Sequence, residues 1–183
     1  MCFGQSWNFS VNSDPFEGKT SSVLHKGFGG EFPYQNPILV IRYRHSTDKL
    51  EIYIRDLGYS GCDNNRIYAS FNNSAENVES YPVGSSSNND AVFFREIDFM
   101  DFLSNLKKYS KVTMMFSNSC GESRFRFNLN GSTKAINNIL NLTNDYNPKA
   151  LAEKKQAERE LENQKKIVDS KVALMVKELD SFD

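Results

Sequence analysis

Apolar and polar residues alternate with a period of two through most of the chain from Trp7 to Leu129, the signature of strands that bury one face. Trp7 to Asn12 is the first such segment, and Ser13-Asp14-Pro15-Phe16-Glu17-Gly18-Lys19 turns the chain, because Pro sets φ and Gly accepts positive φ. Thr20 to His25 predicts a second strand. The Gly27-Phe28-Gly29-Gly30 cluster behind it lacks the Lys-Ser/Thr pair and following helix of a phosphate loop, so it reads as a hairpin or loop. Pro37 to Arg44 and Lys49 to Asp56, joined by His45-Ser46-Thr47-Asp48, form the clearest hairpin. Further strands are predicted over Asn65 to Phe71, Val78 to Val83, Ala91 to Phe94, Lys111 to Phe116 and Ser123 to Leu129.

Helical periodicity interrupts this pattern. Asp98 is placed to cap a helix whose Phe99, Phe102, Leu103 and Leu106 fall on one face, and Gly131-Ser132-Thr133 opens another carrying Ala135, Ile136, Ile139 and Leu140. Asn144 to Pro148 stops it. From Lys149 to about Ser181 the chain has no Gly or Pro and is rich in Ala, Glu, Lys, Gln and Leu, which predicts one charged helix. Leu161, Val168, Val172, Met175 and Leu179 follow an a/d spacing broken at Lys165. That seam is a candidate for a partner helix or for self-association as a homo-oligomer; the other reading is a solvated arm. The expected fold class is therefore α+β, mainly β: an antiparallel β-sandwich-like domain over residues 1–147 with two short helices, then a long C-terminal helix in a charged arm over 148–183.

Composition sharpens the division at Pro148. Of fourteen Phe, eight Tyr and one Trp, only Phe182 lies beyond it, so the core belongs to the first part. A net charge of −1 gives no large excess of Lys and Arg for phosphate neutralisation, so nucleic-acid binding is not expected. No stretch approaches the roughly 20 apolar residues that span a bilayer as a helix.

Three cysteines leave alternatives open. Cys62 and Cys120 lie in Gly/Ser/Asn-rich loops and are either a disulfide, as export would favour, or two free thiols. Cys2, near an unusual start that runs directly into strand-like sequence, is a candidate lipid-bearing first residue of a bacterial lipoprotein. Two cysteines with His25 and His45 are a poor zinc set, and both histidines read as surface residues in or beside turns, so no metal and no cofactor is expected.

Catalytic chemistry is equally sparse. Gly58-Tyr59-Ser60-Gly61-Cys62 misses the spacing of a nucleophile elbow, and Asp14, Glu17, Asp56 and Asp63 sit in turn contexts that explain them. The chain thus reads as a non-enzyme with no catalytic residues, a hydrolase using loop carboxylates being the less favoured class. Two strands interleave Arg with aromatics, Ile41-Arg42-Tyr43-Arg44 and Arg124-Phe125-Arg126-Phe127. If Arg42, Arg44, Arg55, Arg124 and Arg126 share a face, they form a basic strip for an acidic partner; otherwise they are an ordinary solvated face over a core.

The order of the Trp7 strand, Asp14-Pro15-Phe16-x-Gly18-Lys19, Pro37 to Tyr43, Leu50 to Ile54, and Phe125-x-Phe127-x-Leu129-x-Gly131 resembles a family of small bacterial envelope proteins that includes the type VI secretion-associated VasI-like proteins and related prophage proteins. The resemblance implies an extracytoplasmic accessory protein, in the periplasm or cell envelope, with no known catalytic residues. The expected function is a non-enzymatic module of bacterial or phage origin binding a protein partner through its β-domain and C-terminal helix. The alternative is a phage-encoded cytoplasmic inhibitor or host-takeover protein.

Overall fold

In a computed structural model the chain divides into two units, Met1–Tyr146 and Asn147–Asp183. The structure describes residues 7–16, 18–29, 36–74, 78–143, 159–162 and 164–165. In the first unit, ten strands form one antiparallel sheet: β1 (Asn8–Asp14), β2 (Gly18–Lys26), β3 (Phe28–Gly29), β4 (Ile38–Arg44), β5 (Lys49–Arg55), β6 (Arg66–Phe71), β7 (Val78–Ser85), β8 (Ala91–Phe94), β9 (Lys111–Asn118) and β10 (Gly121–Asn128). A single 3₁₀ turn at Glu96–Asp98 leads into α1 (Phe99–Lys108), and α2 (Ser132–Leu140) follows β10.

The order β1-β2-β4-β5-β8-β7-β6-β9-β10-β3 corrects the expected sandwich-like pair of sheets. Two ribbons serve both halves of the sheet. β7 pairs with β6 from Val78 to Pro82 and with β8 from Val83 to Ser85, so the ladder passes from one half to the other within one strand. At the other corner only Gly27 separates β2, which pairs with β4, from β3, which pairs with β10. Strands that change neighbours at a bend make such corners. Gly27-Phe28-Gly29, expected as part of a loop, thus supplies a corner and a short strand.

The long C-terminal helix is corrected too. Helical residues in the second unit are limited to 159–162 and 164–165 among those described, and the remainder of the expected arm lies outside them.

Alternation places Val23 of β2, Leu39, Ile41 and Tyr43 of β4, Ile52 and Ile54 of β5, Ile67 and Ala69 of β6, Met114 of β9, and Phe125 and Phe127 of β10 in one core. Both helices complete it. α1 buries Phe99, Phe102, Leu103 and Leu106, and α2 buries Ala135, Ile136 and Ile139. The Ser132 hydroxyl donates to the Leu106 carbonyl at 2.6 Å and Thr133 to that of Lys107 at 3.1 Å, which pins the start of α2 to the end of α1. Asp98 precedes α1 but makes no side-chain cap; its carboxylate accepts from Arg95 Nε at 3.0 Å instead. β1 departs from expectation more sharply, since all seven of its residues are exposed. It is the terminal strand of the sheet, and α2 packs on β2 and β4.

Among the described residues six non-glycine residues adopt positive φ: Asp48, Asp56, Asn64, Asn72, Asn73 and Asn89. All are Asn or Asp, whose short polar side chains tolerate that region best, so the Asn-rich character of the chain is largely turn chemistry.

At Gly27 a Cβ would stand 2.7 Å from the Phe127 ring and 2.8 Å from the Arg126 carbonyl oxygen. Backbone and a buried ring cannot both yield, so Gly27→Ala is expected to lower stability by roughly 1–3 kcal/mol, as overpacking does, seen as a Tm depressed by several degrees in thermal denaturation. Gly84→Ala, with no neighbour within 4 Å of its Cβ, is the control and should change Tm little.

Tyr81 packs edge-on against Phe94 and Phe102, which stack at 4.2 Å. Burial pushes its phenol from 10.0 up to about 12. The charged phenolate is disfavoured in the native state, so the folded chain holds this proton to higher pH than the unfolded chain. The contribution is whole below pH 10.0 and is lost as pH rises toward about 12. Denaturant midpoints at neutral pH and at successive steps through this window should therefore fall more steeply for wild type than for Tyr81→Phe.

Candidate functional site

One end of the sheet is organised by a disulfide. Cys62, in the loop between β5 and β6, is bonded to Cys120, in the turn between β9 and β10, with Cα atoms 6.1 Å apart. The Asn65 amide nitrogen donates within a cluster formed by the Ser60 and Cys62 carbonyls and the Ser85 hydroxyl, at 2.9–3.0 Å. Asn118 donates to the Tyr59 carbonyl at 2.9 Å and to Asn65 Oδ1 at 3.2 Å, and the Ser85 hydroxyl donates to the Ser60 carbonyl. These bonds satisfy loop backbone that the strands cannot reach. They explain Ser60 as a buried structural hydroxyl, which also donates to the Ala91 carbonyl at 3.2 Å.

The five arginines do not form one strip. Arg42 and Arg44 stand on the outer face of the β4–β5 hairpin, where both meet Glu51 Oε2, Arg42 at 2.7 Å and Arg44 at 3.2 Å. Arg42 also lies over the Tyr53 ring at 5.2 Å, and Tyr53 stacks on Phe93 at 4.9 Å. Arg55 has a longer, exposed contact with Asp56 at 3.8 Å. Arg124 and Arg126 are elsewhere, on β10. The reason is register: Arg42 lies opposite Ser22 of β2, whereas Arg126 lies opposite Phe28 of β3. Those two positions lie on either side of the Gly27 corner of the shared ribbon.

The outer face of β6, β9 and β10 near β3 is the more open of the two basic surfaces. Cross-strand register lines up Arg126, Thr113 and Ser70 in one row and Arg124, Met115 and Tyr68 in the next. The Arg126 guanidinium lies over the Phe28 ring at 4.9 Å, and Thr113 donates to Asn73 Oδ1 at 2.9 Å. Two depressions flank Arg126. One, of about 540 Å³, is lined by Gly29, Ser70, Asn73, Thr113 and Arg124; the other, of about 370 Å³, by Phe28, Ser110, Lys111, Asn128 and Asn130. Neither lining includes a carboxylate among the described residues.

Of the expected seam in the arm, Leu161 is described and is 68% exposed; Val168, Val172, Met175 and Leu179 lie outside the described residues. His25, expected at the surface, is buried on the inner face of β2 and stacks on Trp7 at 4.4 Å, with Phe127 at 6.0 Å. His45 sits 4.6 Å from the Tyr43 ring, and its Nε2 is 2.9 Å from the Ser21 hydroxyl. Sequence reasoning missed this Ser–His pair, because 24 residues separate its members and only the β2–β4 pairing brings them together. Ser21 is 1% exposed, so no substrate reaches it, and the pair serves as a cross-strand hydrogen bond. Among the described residues no three of His, Cys, Asp and Glu converge as a metal set, and no helix is long and apolar enough to cross a membrane.

No family model, no characterised protein and no solved structure matches this chain.

The disulfide closes a loop of 58 residues. In the chain-entropy view such a closure stabilises by on the order of 4 kcal/mol. The Cys62→Ser/Cys120→Ser variant should therefore unfold at a lower denaturant midpoint, and added dithiothreitol should lower the wild-type midpoint while leaving the variant's unchanged.

Proposed function

We propose that the β-domain is a non-enzymatic interaction module of an extracytoplasmic, oxidising compartment of a bacterium, and that it captures an extended segment of a protein partner along β1. The observation that carries this reading is the character of β1. Among the described residues it is the terminal strand of the sheet, paired with β2, and its two apolar side chains, Phe9 and Val11, are 48% and 52% exposed on one face.

Natural edge strands are usually protected by Lys, Pro, a bulge or a covering element, because their backbone groups template further pairing. Asn8-Phe9-Ser10-Val11-Asn12-Ser13-Asp14 has no Lys and no Pro, and its one charge is at its end. A partner segment laid along it would gain backbone hydrogen bonds, while its alternate side chains would cover Phe9 and Val11. The Cys62–Cys120 bond supports the oxidising compartment, since such bonds persist where thiols are not kept reduced. A periplasmic or envelope location with an accessory role also agrees with what the resemblance to VasI-like proteins implies.

The test is selection from a displayed library of random peptides on the immobilised full chain. Peptides with alternating apolar residues are expected to be enriched, to slow amide exchange in β1, and to lose at least tenfold in affinity for Phe9→Lys/Val11→Lys. Enriched peptides that bind this variant as tightly as wild type would overturn the proposal. So would concentration-dependent dimerisation of the wild type that the variant abolishes, because the edge would then serve a second copy.

A further inference from the structure

The basic surface near β3 has features that the β1 reading does not use. Three cations, Lys111, Arg124 and Arg126, border two adjoining depressions whose remaining lining mixes amide and hydroxyl side chains with the apolar Phe28, Val112, Phe125 and Phe127. Among the described residues no carboxylate lies within ion-pair distance of Lys111 or Arg126. Arg124 has only an exposed contact with Glu122 at 3.7 Å, worth little in water. By contrast, Arg42 and Arg44 already share Glu51. On this face Lys111 and Arg126 are thus left without a carboxylate.

Geometry sharpens the point at Arg126. The guanidinium carbon lies 4.9 Å from the centre of the Phe28 ring, and among the described residues its N–H groups make no hydrogen bond. Those groups are the ones that meet a carboxylate in a forked, two-bond arrangement. Around them Asn73, Thr113, Asn128 and Asn130 carry groups that both donate and accept hydrogen bonds.

We propose that this groove binds an acidic oligosaccharide, a sugar chain carrying carboxylates. Lys111, Arg124 and Arg126 meet the carboxylates, and the amide and hydroxyl side chains pair with ring hydroxyls, which also both donate and accept. Two depressions on either side of one arginine suit successive sugar units of a chain. An acidic peptide would bring carboxylates to the same cations but few hydroxyls to the Asn, Ser and Thr side chains around them. The site uses Lys111, Arg124 and Arg126 and the β1 surface uses Phe9 and Val11, so either surface can fail its test without the other.

Isothermal titration of the full chain with tetragalacturonate, maltotetraose and hexaglutamate tests the assignment. Tetragalacturonate is expected to bind, more weakly as salt rises because exposed charges are screened. Its affinity should fall at least tenfold in Lys111→Gln/Arg126→Gln, fall less in Arg126→Lys, and be unchanged in Arg42→Gln and in Phe9→Lys/Val11→Lys. Circular dichroism of each variant checks that it is folded, and Arg126→Lys keeps the test open if the double variant is not. The proposal is overturned if tetragalacturonate does not bind, if neutral maltotetraose binds equally, if hexaglutamate binds more tightly, or if the folded variants bind as wild type does.

Discussion

Gly27 stands where the backbone leaving β2 passes so close to β10 that a methyl group would strike both the Phe127 ring and the Arg126 carbonyl. Much of the architecture follows from that approach. Because one residue joins β2 to β3, the ribbon that pairs with β4 also pairs with β10, and the two ends of the strand order are held by a continuous stretch of chain. The Gly27 amide donates to the Pro37 carbonyl at 2.7 Å, so the corner keeps its backbone bond. Two residues before it, His25 lies between Trp7 and Phe127; one residue after it, Phe28 lies under Arg126. The corner therefore sets the inner packing at this end and the position of the outer arginine with the same few atoms.

At the opposite corner the crossing is made by β7 near Pro82 and Val83, and no comparable glycine contact is needed. The Cys62–Cys120 bond and the Asn65 and Asn118 amides fasten the loops beside it. A covalent bond suits this place. The loop from Asp56 to Asn65 has little regular pairing, so ordering it costs conformational entropy that few backbone bonds repay.

Much of the local structure was legible in the sequence, because period and turn chemistry are local properties. The β4–β5 hairpin falls where Arg42 and Glu51 alternate outward over Ile41 and Ile52, and α1 buries the four residues that its spacing puts on one face. Neighbour relations were not legible in the same way. Alternation says which face a residue takes, not which strand lies beside it, so Arg42 and Arg126 have the same outward sense yet occupy different regions. For the same reason the sequence pattern suggested two sheets: nothing local in Val78 to Ser85 announces that this strand changes partner midway. β1 shows the converse failure. Its alternation is genuine, but burial depends on what lies opposite, and every residue of β1 is exposed. The candidate groove was half visible, through Arg124 and Arg126; Lys111, Asn73 and Phe28 join it only through long-range pairing.

The distinction between the two arginine groups is energetic as well as spatial. Arg42 and Arg44 converge on a Glu51 side chain that is only 13% exposed, and separating them from it would leave that carboxylate poorly solvated and unpaired. An incoming anion at that site would also meet repulsion from Glu51. Arg126 faces neither obstacle: its cation is held by a neutral ring, which orients the guanidinium without consuming its hydrogen-bond donors. An anion there replaces water, not an existing partner. At β1 likewise, an added strand displaces water from the half-exposed Phe9 and Val11. In both places the capacity to bind rests on groups the fold positions but does not itself use up.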